Sequence, residues 1–260
     1  MRYVFDHDLH IHSGLSLCSG NPEQSPERIL SYAKANKLST ICLTDHYWDD
    51  DVPGPSDWYR IQNYTHIAQA LPLPQAENVR FLFGCETELR ADLTVGVSDK
   101  GFDKFDFVII PTTHMHMNGF TVHGDEDAKE RAELYVSRLD GVLDKNLPFH
   151  KIGIAHLTCG LMYDKDPDSV MNLVSDEALS RLFRKAVDRG VGIELNFDAL
   201  DLTEERMDTV LRPYRIAKAE GCKFYFGSDA HQPEELDREK QNAERIIDLL
   251  GLEESDKFHI

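Results

Sequence analysis

The chain has 260 residues, of which 41% are hydrophobic and 28% are charged, a composition typical of a folded globular protein with a large core. Lysine and arginine total 28 and aspartate and glutamate total 46, which gives a formal net charge of −18. This acidic balance argues against nonspecific binding to nucleic acid or to anionic membranes, so we expect neither among the partners.

The cysteines and the N-terminal residues bear on the cellular compartment. The cysteine count is odd and the spacing is scattered, which argues against a disulfide framework: Cys18, Cys42, Cys85, Cys159 and Cys222. The first residues contain no apolar signal region, and no apolar run approaches the roughly 18 residues that span a membrane. We therefore expect a cytoplasmic protein, in a reducing compartment.

Short apolar runs rich in β-branched and aromatic residues alternate with longer amphipathic stretches along the chain. Strands are predicted at 3–10, 40–44, 80–85, 106–111, 151–155, 191–197 and 223–227. Helices are predicted at 25–36, from 56 or 57 to just before Pro72, and at 125–145, 175–189, 203–221 and 233–250. Ser25 should cap the first helix, Thr203 should cap the fifth, and Pro213 should kink or divide that fifth helix.

The repeated order of strand, loop and helix predicts a parallel sheet with helical crossovers. An open doubly wound sheet and a barrel both fit this order. Every predicted strand except the sixth ends in His, Asp or Glu, and only a barrel brings all those ends to one mouth. We therefore predict an α/β fold, a (β/α)7-type barrel, formed by a single domain over residues 1–260.

Histidines are concentrated at the predicted strand ends. The chain has 12 histidines in 260 residues, so about 21 such positions should hold roughly one histidine by chance. Six are found there: His10, His12, His46, His114, His156 and His231. His10 and His12 are two residues apart, so an extended strand places both imidazoles on the same face.

Taken together, these motifs resemble the PHP (polymerase and histidinol phosphatase) family of metal-dependent phosphoesterases. The resemblance covers the chain from Asp8 to His231 and the helix that follows. It rests on these motifs: His10-x-His12, Thr44-Asp45-His46, Gly84-Cys85-Glu86, the strand leading to His114, Ala155-His156 and Ser228-Asp229-Ala230-His231. It implies a distorted TIM-like (β/α)7 barrel with two or three metal ions at the C-terminal mouth of the strands.

The resemblance also implies a ligand set. Two ions would share the Glu86 carboxylate, with these ligands: His10, His12, Glu86 and Asp229 for the first ion, and Glu86, His114 and His156 for the second. His46 and His231 would belong to a third ion.

Three further residues are possible metal ligands. Asp45 is either a ligand or a support for ligands, and His116 is an alternative to His114. The third ion in such proteins usually takes another His or Asp shortly after the His-x-His pair, where this chain has Leu17-Cys18-Ser19. Cys18 is therefore a possible ligand or a plain loop cysteine.

Imidazole and carboxylate ligands without a cysteine cluster suit zinc, manganese or iron(II). Two such ions about 3.5–4 Å apart can clamp a phosphoryl group and activate a water molecule. The expected nucleophile is this metal-activated hydroxide, with His231 and Asp45 as reserve candidates for catalytic roles. Arg90 and Arg60 are weak candidates for phosphate binding, because guanidinium matches phosphate geometry.

Two sets of residues could support the site. Trp48, Trp58 and Tyr59 follow His46 in sequence and could form a wall against a small organic group. Glu194 and Asn196, on the sixth predicted strand, are expected to support the metal ligands.

The favoured function is hydrolysis of a small phosphomonoester such as histidinol phosphate. One alternative is an amidohydrolase-type barrel, which also uses His-x-His, although no lysine stands at a strand end to bridge two ions as a carbamate. Lys151 begins its predicted strand and so lies at the wrong end. The other alternative is a non-catalytic metal-binding module.

Overall fold

The computed structural model of the protein describes residues 1–197, 200–237 and 241–260. Its strands pair in parallel in the order β1-β2-β3 and β4-β5-β6-β7-β8. Their bounds are β1 His7–Ile11, β2 Thr40–Leu43, β3 Arg80–Phe83, β4 Cys85–Glu86, β5 Val108–Pro111, β6 Ile152–Ala155, β7 Gly192–Asn196 and β8 Lys223–Gly227. The predicted α/β fold with parallel strands is therefore confirmed.

The strands close into a ring. β3 and β4 are one run interrupted at Gly84, where a Cβ atom would lie 2.5 Å from the carbonyl oxygen of Phe107. On the other side, the Asp229 amide donates to the His10 carbonyl over 2.7 Å, and the His12 amide donates to the Ala230 carbonyl over 3.0 Å. These contacts join β8 to β1 and close the barrel. Because β3 and β4 together count as one strand, the barrel has seven strands.

The helices flank this barrel, and the bounds of most follow the predictions closely. They are α1 Pro26–Ala35, α2 Asp57–Arg60, α3 Tyr64–Ile67, α4 Ala128–Asp144, α5 Pro167–Leu173, α6 Asp176–Arg189, α7 Met207–Glu220, α8 Pro233–Leu236 and α9 Gln241–Leu250. The Ser25 side chain accepts from the Arg28 amide, so Ser25 caps α1 as predicted. None of the helices described is both long and apolar enough to cross a lipid bilayer.

Some helix predictions were wrong. The predicted helix between Ser56 and Pro72 is broken into α2 and α3, because the Asn63 side chain accepts from the His66 amide and starts a new helix. α7 begins at Met207 rather than after Thr203. Pro213 does not divide α7, whose neighbouring side chains are buried in the core. Packing thus outweighs the missing backbone donor.

Two other differences concern helix bounds. α5 was missed, and Pro167 at its first turn is the residue that could have signalled it. The predicted last helix, 233–250, is described as α8 and α9, and residues 238–240 lie outside the described part of the chain.

The barrel interior has its own apolar cluster, separate from the larger core between strands and helices. Its buried members are Leu9, Cys42, Leu82, Phe107, Ile109, Ala155, Tyr225 and Phe258. Phe258 comes from the segment after α9, and its amide donates to the Phe224 carbonyl over 2.8 Å. This segment closes the end of the barrel opposite the strand C-termini.

Replacing Phe258 with alanine is expected to lower the free energy of unfolding by about 3 kcal/mol, because it leaves a cavity in the barrel interior. Denaturant unfolding followed by circular dichroism measures this change. His259→Ala, at the exposed neighbouring residue, is the control. A Phe258→Ala midpoint equal to that of the control would show that the barrel end needs no such cover.

Candidate metal centre

The C-terminal ends of the strands bring eight predicted ligands together at one mouth of the barrel. The groups whose ligand atoms all lie within 4.8 Å of one another are His10–His12–Glu86–Asp229, Glu86–His114–His156, His12–His46–His231 and His10–His156–Glu194. A register shift in β1 between Asp8 and Ile11 accompanies this arrangement. The Nε2 atoms of His10 and His12 lie 3.0 Å apart.

Glu86 stands between two sets of histidines. Its Oε2 atom lies 3.2–3.4 Å from one imidazole nitrogen of each of three residues: His10, His12 and His46. Its Oε1 atom lies 3.9 Å from His114 Nε2 and 4.0 Å from His156 Nδ1. Because each oxygen faces a different set, this carboxylate has the geometry of a bridge between two cations.

Hydrogen bonds fix the imidazole rings of this centre. Nδ1 of His10 lies 2.6 Å from Glu194, Nδ1 of His114 lies 2.9 Å from Glu88, and Nδ1 of His231 lies 2.7 Å from the Asp229 carbonyl. Carboxylate and carbonyl oxygens only accept, so each Nδ1 carries the hydrogen. The Nε2 lone pair of each ring is then free for a cation.

Asp45 and Ser16 hold His12 in the same way. The Ser16 hydroxyl donates to Asp45 over 2.7 Å and lies 3.0 Å from His12 Nδ1, so it accepts from that ring. Asp45 also accepts from the amide and the hydroxyl of Ser13, both over 2.7 Å. Asp45 joins none of the ligand groups above and is 1% exposed. The structure therefore places Asp45 behind His12, in the supporting position that was one of its two expected roles.

Four buried polar atoms of the centre have no hydrogen-bond partner among the described residues. They are His46 Nδ1, Glu86 Oε1, His156 Nδ1 and Asp229 Oδ1. Buried polar atoms are rarely left unpaired, since each loses its hydration without compensation. Nitrogen and carboxylate donors grouped in this way suit divalent cations, which would give these atoms the partners that they lack.

The two carboxylates and His46 have the protonation states of metal ligands. Neighbouring carboxylates, by contrast, raise the pKa values of His10, His12 and His156 against the effect of burial, so a cation would displace protons from these three rings. Burial alone would raise the pKa of Glu86, but His10 and His46 hold it well below its ordinary value. The pKa of Asp229 is likewise held low against the effect of burial, chiefly by His10. Burial lowers the pKa of His46 well below its ordinary value. Ionised carboxylates and neutral imidazole are the forms that bind metal ions.

Two of the possible ligands lie at the edge of the centre. Cys18 and His116 are exposed and line the cavity above it, and neither joins a group of three ligands in the described chain. His114, not His116, is the residue placed against Glu86 and His156.

The predicted phosphate-binding arginines lie elsewhere. Arg90 lies 3.4 Å from Asp92, and Arg60 lies 3.1 Å from Asp57 with two thirds of its side chain exposed. Neither lines the cavity above the metal ligands. The structure therefore does not bring Arg90 or Arg60 together with the predicted metal ligands, because each arginine pairs with a nearby carboxylate.

The cavity above the ligands has a volume of about 500 Å³. Its apolar lining residues are Trp58, Tyr59, Met117 and Leu161, whereas Trp48 lies in the core below. No lysine or arginine is among the described residues that line it. Lys151 donates to the carbonyls of Phe102 and Phe105 at the start of its strand, so it cannot supply a carbamate bridge.

Two supporting residues were missed in the sequence. Glu88 is fully buried and accepts from the Leu89 amide over 2.9 Å and from Tyr59 over 3.3 Å, besides His114. Its position two residues after Glu86 is the signal that could have identified it.

Arg138, on α4, is the second missed residue. It is 1% exposed and donates to the carbonyls of Thr112, Thr121 and Leu89 over 2.7, 2.8 and 2.9 Å. It also reaches the His114 carbonyl over 3.4 Å. It thus ties the loops after β4 and β5 to one another. No sequence signal distinguishes it from the other arginines.

The comparisons with known proteins agree with this fold. A structure of histidinol phosphate phosphatase from Lactococcus lactis subsp. lactis, complexed with zinc, L-histidinol and phosphate, has a TM-score of 0.64 at 17% identity. That alignment covers 98% of this chain and 99% of the other. A histidinol phosphatase candidate from Listeria monocytogenes has a TM-score of 0.56 at 11% identity, covering 90% of this chain and 98% of the other.

At these identities the likeness concerns the fold, and no curated protein matches the chain in sequence at a significant level. The PHP domain model, however, matches residues 8–198, well over half of the chain. This range includes six of the eight strand-end ligands, and Asp229 and His231 complete the set beyond it. The chain therefore belongs to the PHP domain family of metal-dependent phosphoesterases.

Proposed function

We propose that this protein is a phosphomonoesterase of small organic phosphates, of histidinol-phosphatase type, carried by one barrel domain over residues 1–260. The observation that carries the proposal is the Glu86 carboxylate, whose two oxygens face two different sets of histidines beneath a cavity of about 500 Å³. A cavity of that size suits a small molecule.

In this proposal, two or three divalent ions (zinc, manganese or iron) bind the three ligand groups. The first would take His10, His12, Glu86 and Asp229, the second would take Glu86, His114 and His156, and the third would take His46 and His231, beside the ring of His12. When bound, such ions clamp phosphoryl oxygens and activate water for in-line attack. His231 serves here as a ligand rather than as a general acid.

The chain's own residues prepare this chemistry. Glu194 and Glu88 hold the hydrogens of His10 and His114 away from the centre, and Ser16 does the same for His12. The ligands are therefore oriented before substrate enters, and little reorganisation is needed at the moment of reaction.

Two observations favour a small substrate over a nucleic acid. The net charge is −18, and the described cavity lining contains no lysine or arginine that could follow a phosphate backbone. The Lactococcus lactis protein of similar fold was complexed with L-histidinol and phosphate, so histidinol phosphate is the first ester to test.

We expect phosphate release from a panel of phosphomonoesters that includes histidinol phosphate, at alkaline pH with Mn²⁺. A chelator should lower this rate by at least about 100-fold, because loss of a metal centre removes its electrostatic stabilisation. Bis(4-nitrophenyl) phosphate, a diester, serves as the comparison substrate and should react more slowly. If no ester in the panel releases phosphate although elemental analysis confirms bound metal, the proposal is contradicted. The amidohydrolase-type or non-catalytic alternative is then favoured.

A further inference from the structure

We infer that the cavity selects phosphomonoesters whose alcohol carries a flat apolar ring, and that Trp58 is the residue that sets this preference. The inference rests on the proposed phosphomonoesterase activity and names its substrate class. It comes from the apolar part of the cavity wall, which the metal chemistry does not use.

The apolar wall is held rigidly. Trp58 and Met117 pack against a buried cluster formed by Trp48, Val52 and Tyr59. The ring centroids of Trp58 and Tyr59 lie 4.7 Å apart at an interplanar angle of 85°, an edge-to-face contact. The Trp58 ring is therefore fixed by its neighbours and offers a preformed surface to a ligand.

This wall begins directly beside the metal ligands. The Trp58 and His46 ring centroids lie 5.0 Å apart, and His46 Nδ1 lies 3.2 Å from Glu86. A phosphate held at the centre would therefore place the carbon atoms of its ester next to Trp58. A ring one or two bonds from the ester oxygen can reach this surface.

The polar groups of the wall are already occupied. Glu88 accepts from His114, Tyr59 and the Leu89 amide, and Glu86 and Asp229 face the histidines of the centre. His116 and Cys18 remain, and both are exposed at the rim. Near the ester, the hydroxyls of a polyol would lose water without gaining a partner, which disfavours open-chain sugar phosphates.

The test compares benzyl phosphate with glycerol 2-phosphate on the metal-loaded enzyme. In the wild type, kcat/KM should be up to about tenfold higher for the benzyl ester, since an aromatic contact contributes up to that factor. Trp58→Ala should lower this ratio about tenfold, whereas Trp58→Phe should keep most of it. Ile61→Ala is the matched control, because Ile61 is 55% exposed and does not line the cavity.

A binding measurement gives a second readout. Benzylphosphonate, which is not hydrolysed, should bind more tightly than methylphosphonate by calorimetry, and Trp58→Ala should remove about tenfold of that difference. Metal content is measured for every variant.

The outcomes separate the two proposals. Hydrolysis of neither ester nor of any other phosphomonoester in the panel would overturn the phosphomonoesterase itself, whereas failure on the benzyl ester with activity on others would overturn only the ring preference. Equal kcat/KM for both esters, equal affinity for both phosphonates, or a parallel loss in Trp58→Ala would overturn the ring preference and leave the activity standing.

Discussion

A Glu86→Ala variant is expected to lose bound metal and phosphatase activity together. Glu86 is 1% exposed, and its oxygens face five histidines in two sets, so in the proposed centre its removal would take a ligand from two ions at once. It would also remove the negative charge that offsets two neighbouring cations in that proposal. We expect kcat/KM to fall by at least about 1,000-fold, more than one lost electrostatic donor usually costs.

Elemental analysis of the purified variant and phosphate release measure the two losses side by side. Glu177→Ala, an exposed glutamate on α6, is the control and should keep both metal and activity. Glu86→Gln keeps the shape of the side chain and removes its charge, so it separates packing from electrostatics. Unchanged activity in Glu86→Ala would refute a centre in which this carboxylate joins two ions.

An Arg138→Met variant is expected to lower the free energy of unfolding by about 4 kcal/mol and to weaken metal binding. The change leaves the carbonyls of Thr112, Thr121 and Leu89 without a donor in a buried region. It also releases the loop that carries His114, whose carbonyl lies 3.4 Å from the guanidinium. Since His114 belongs to only one ligand group, about one metal equivalent should be lost first.

Denaturant unfolding and metal titration measure the two effects of Arg138→Met. Arg181→Met is the matched control, because half of the Arg181 side chain is exposed and its ion pair with Asp140 is at the surface. Wild-type metal stoichiometry with reduced stability would mean that Arg138 supports the fold alone. Wild-type values of both would contradict its role in joining the loops.

The residues that meet at the barrel mouth were predictable because the barrel topology determines their positions. A strand signal such as Thr40–Leu43, followed after Thr44 by Asp45 and His46, shows where a strand ends and which residues lie at the mouth. Parallel order then brings residues as distant as His12 and His231 into one group. Neither step requires knowledge of side-chain packing.

The supporting residues were harder to predict because their contacts cross between loops and helices. Arg138 bonds to Leu89, 49 residues away, only because α4 packs against the loops after β4 and β5. Arg90 turns towards Asp92 for a reason equally invisible in the sequence, since loop direction is set by the finished fold. The positions of helix breaks also depend on the finished fold. Asn63 starts a new helix where one continuous helix was predicted, whereas Pro213 lies within α7, whose neighbouring side chains are buried.

Closure of the barrel at the end opposite the strand C-termini limits how substrate and products can move. Phe258 and the residues around it seal that end, and the interior between it and the metal ligands is filled by side chains. In the proposed phosphomonoesterase, substrate would therefore arrive, and alcohol and phosphate would depart, through the mouth at the strand C-termini, the opening that the described residues leave above the ligands. Phosphate that stays in the cavity blocks the next ester, so inorganic phosphate should act as a competitive product inhibitor. Release of phosphate can then be the rate-limiting step of turnover.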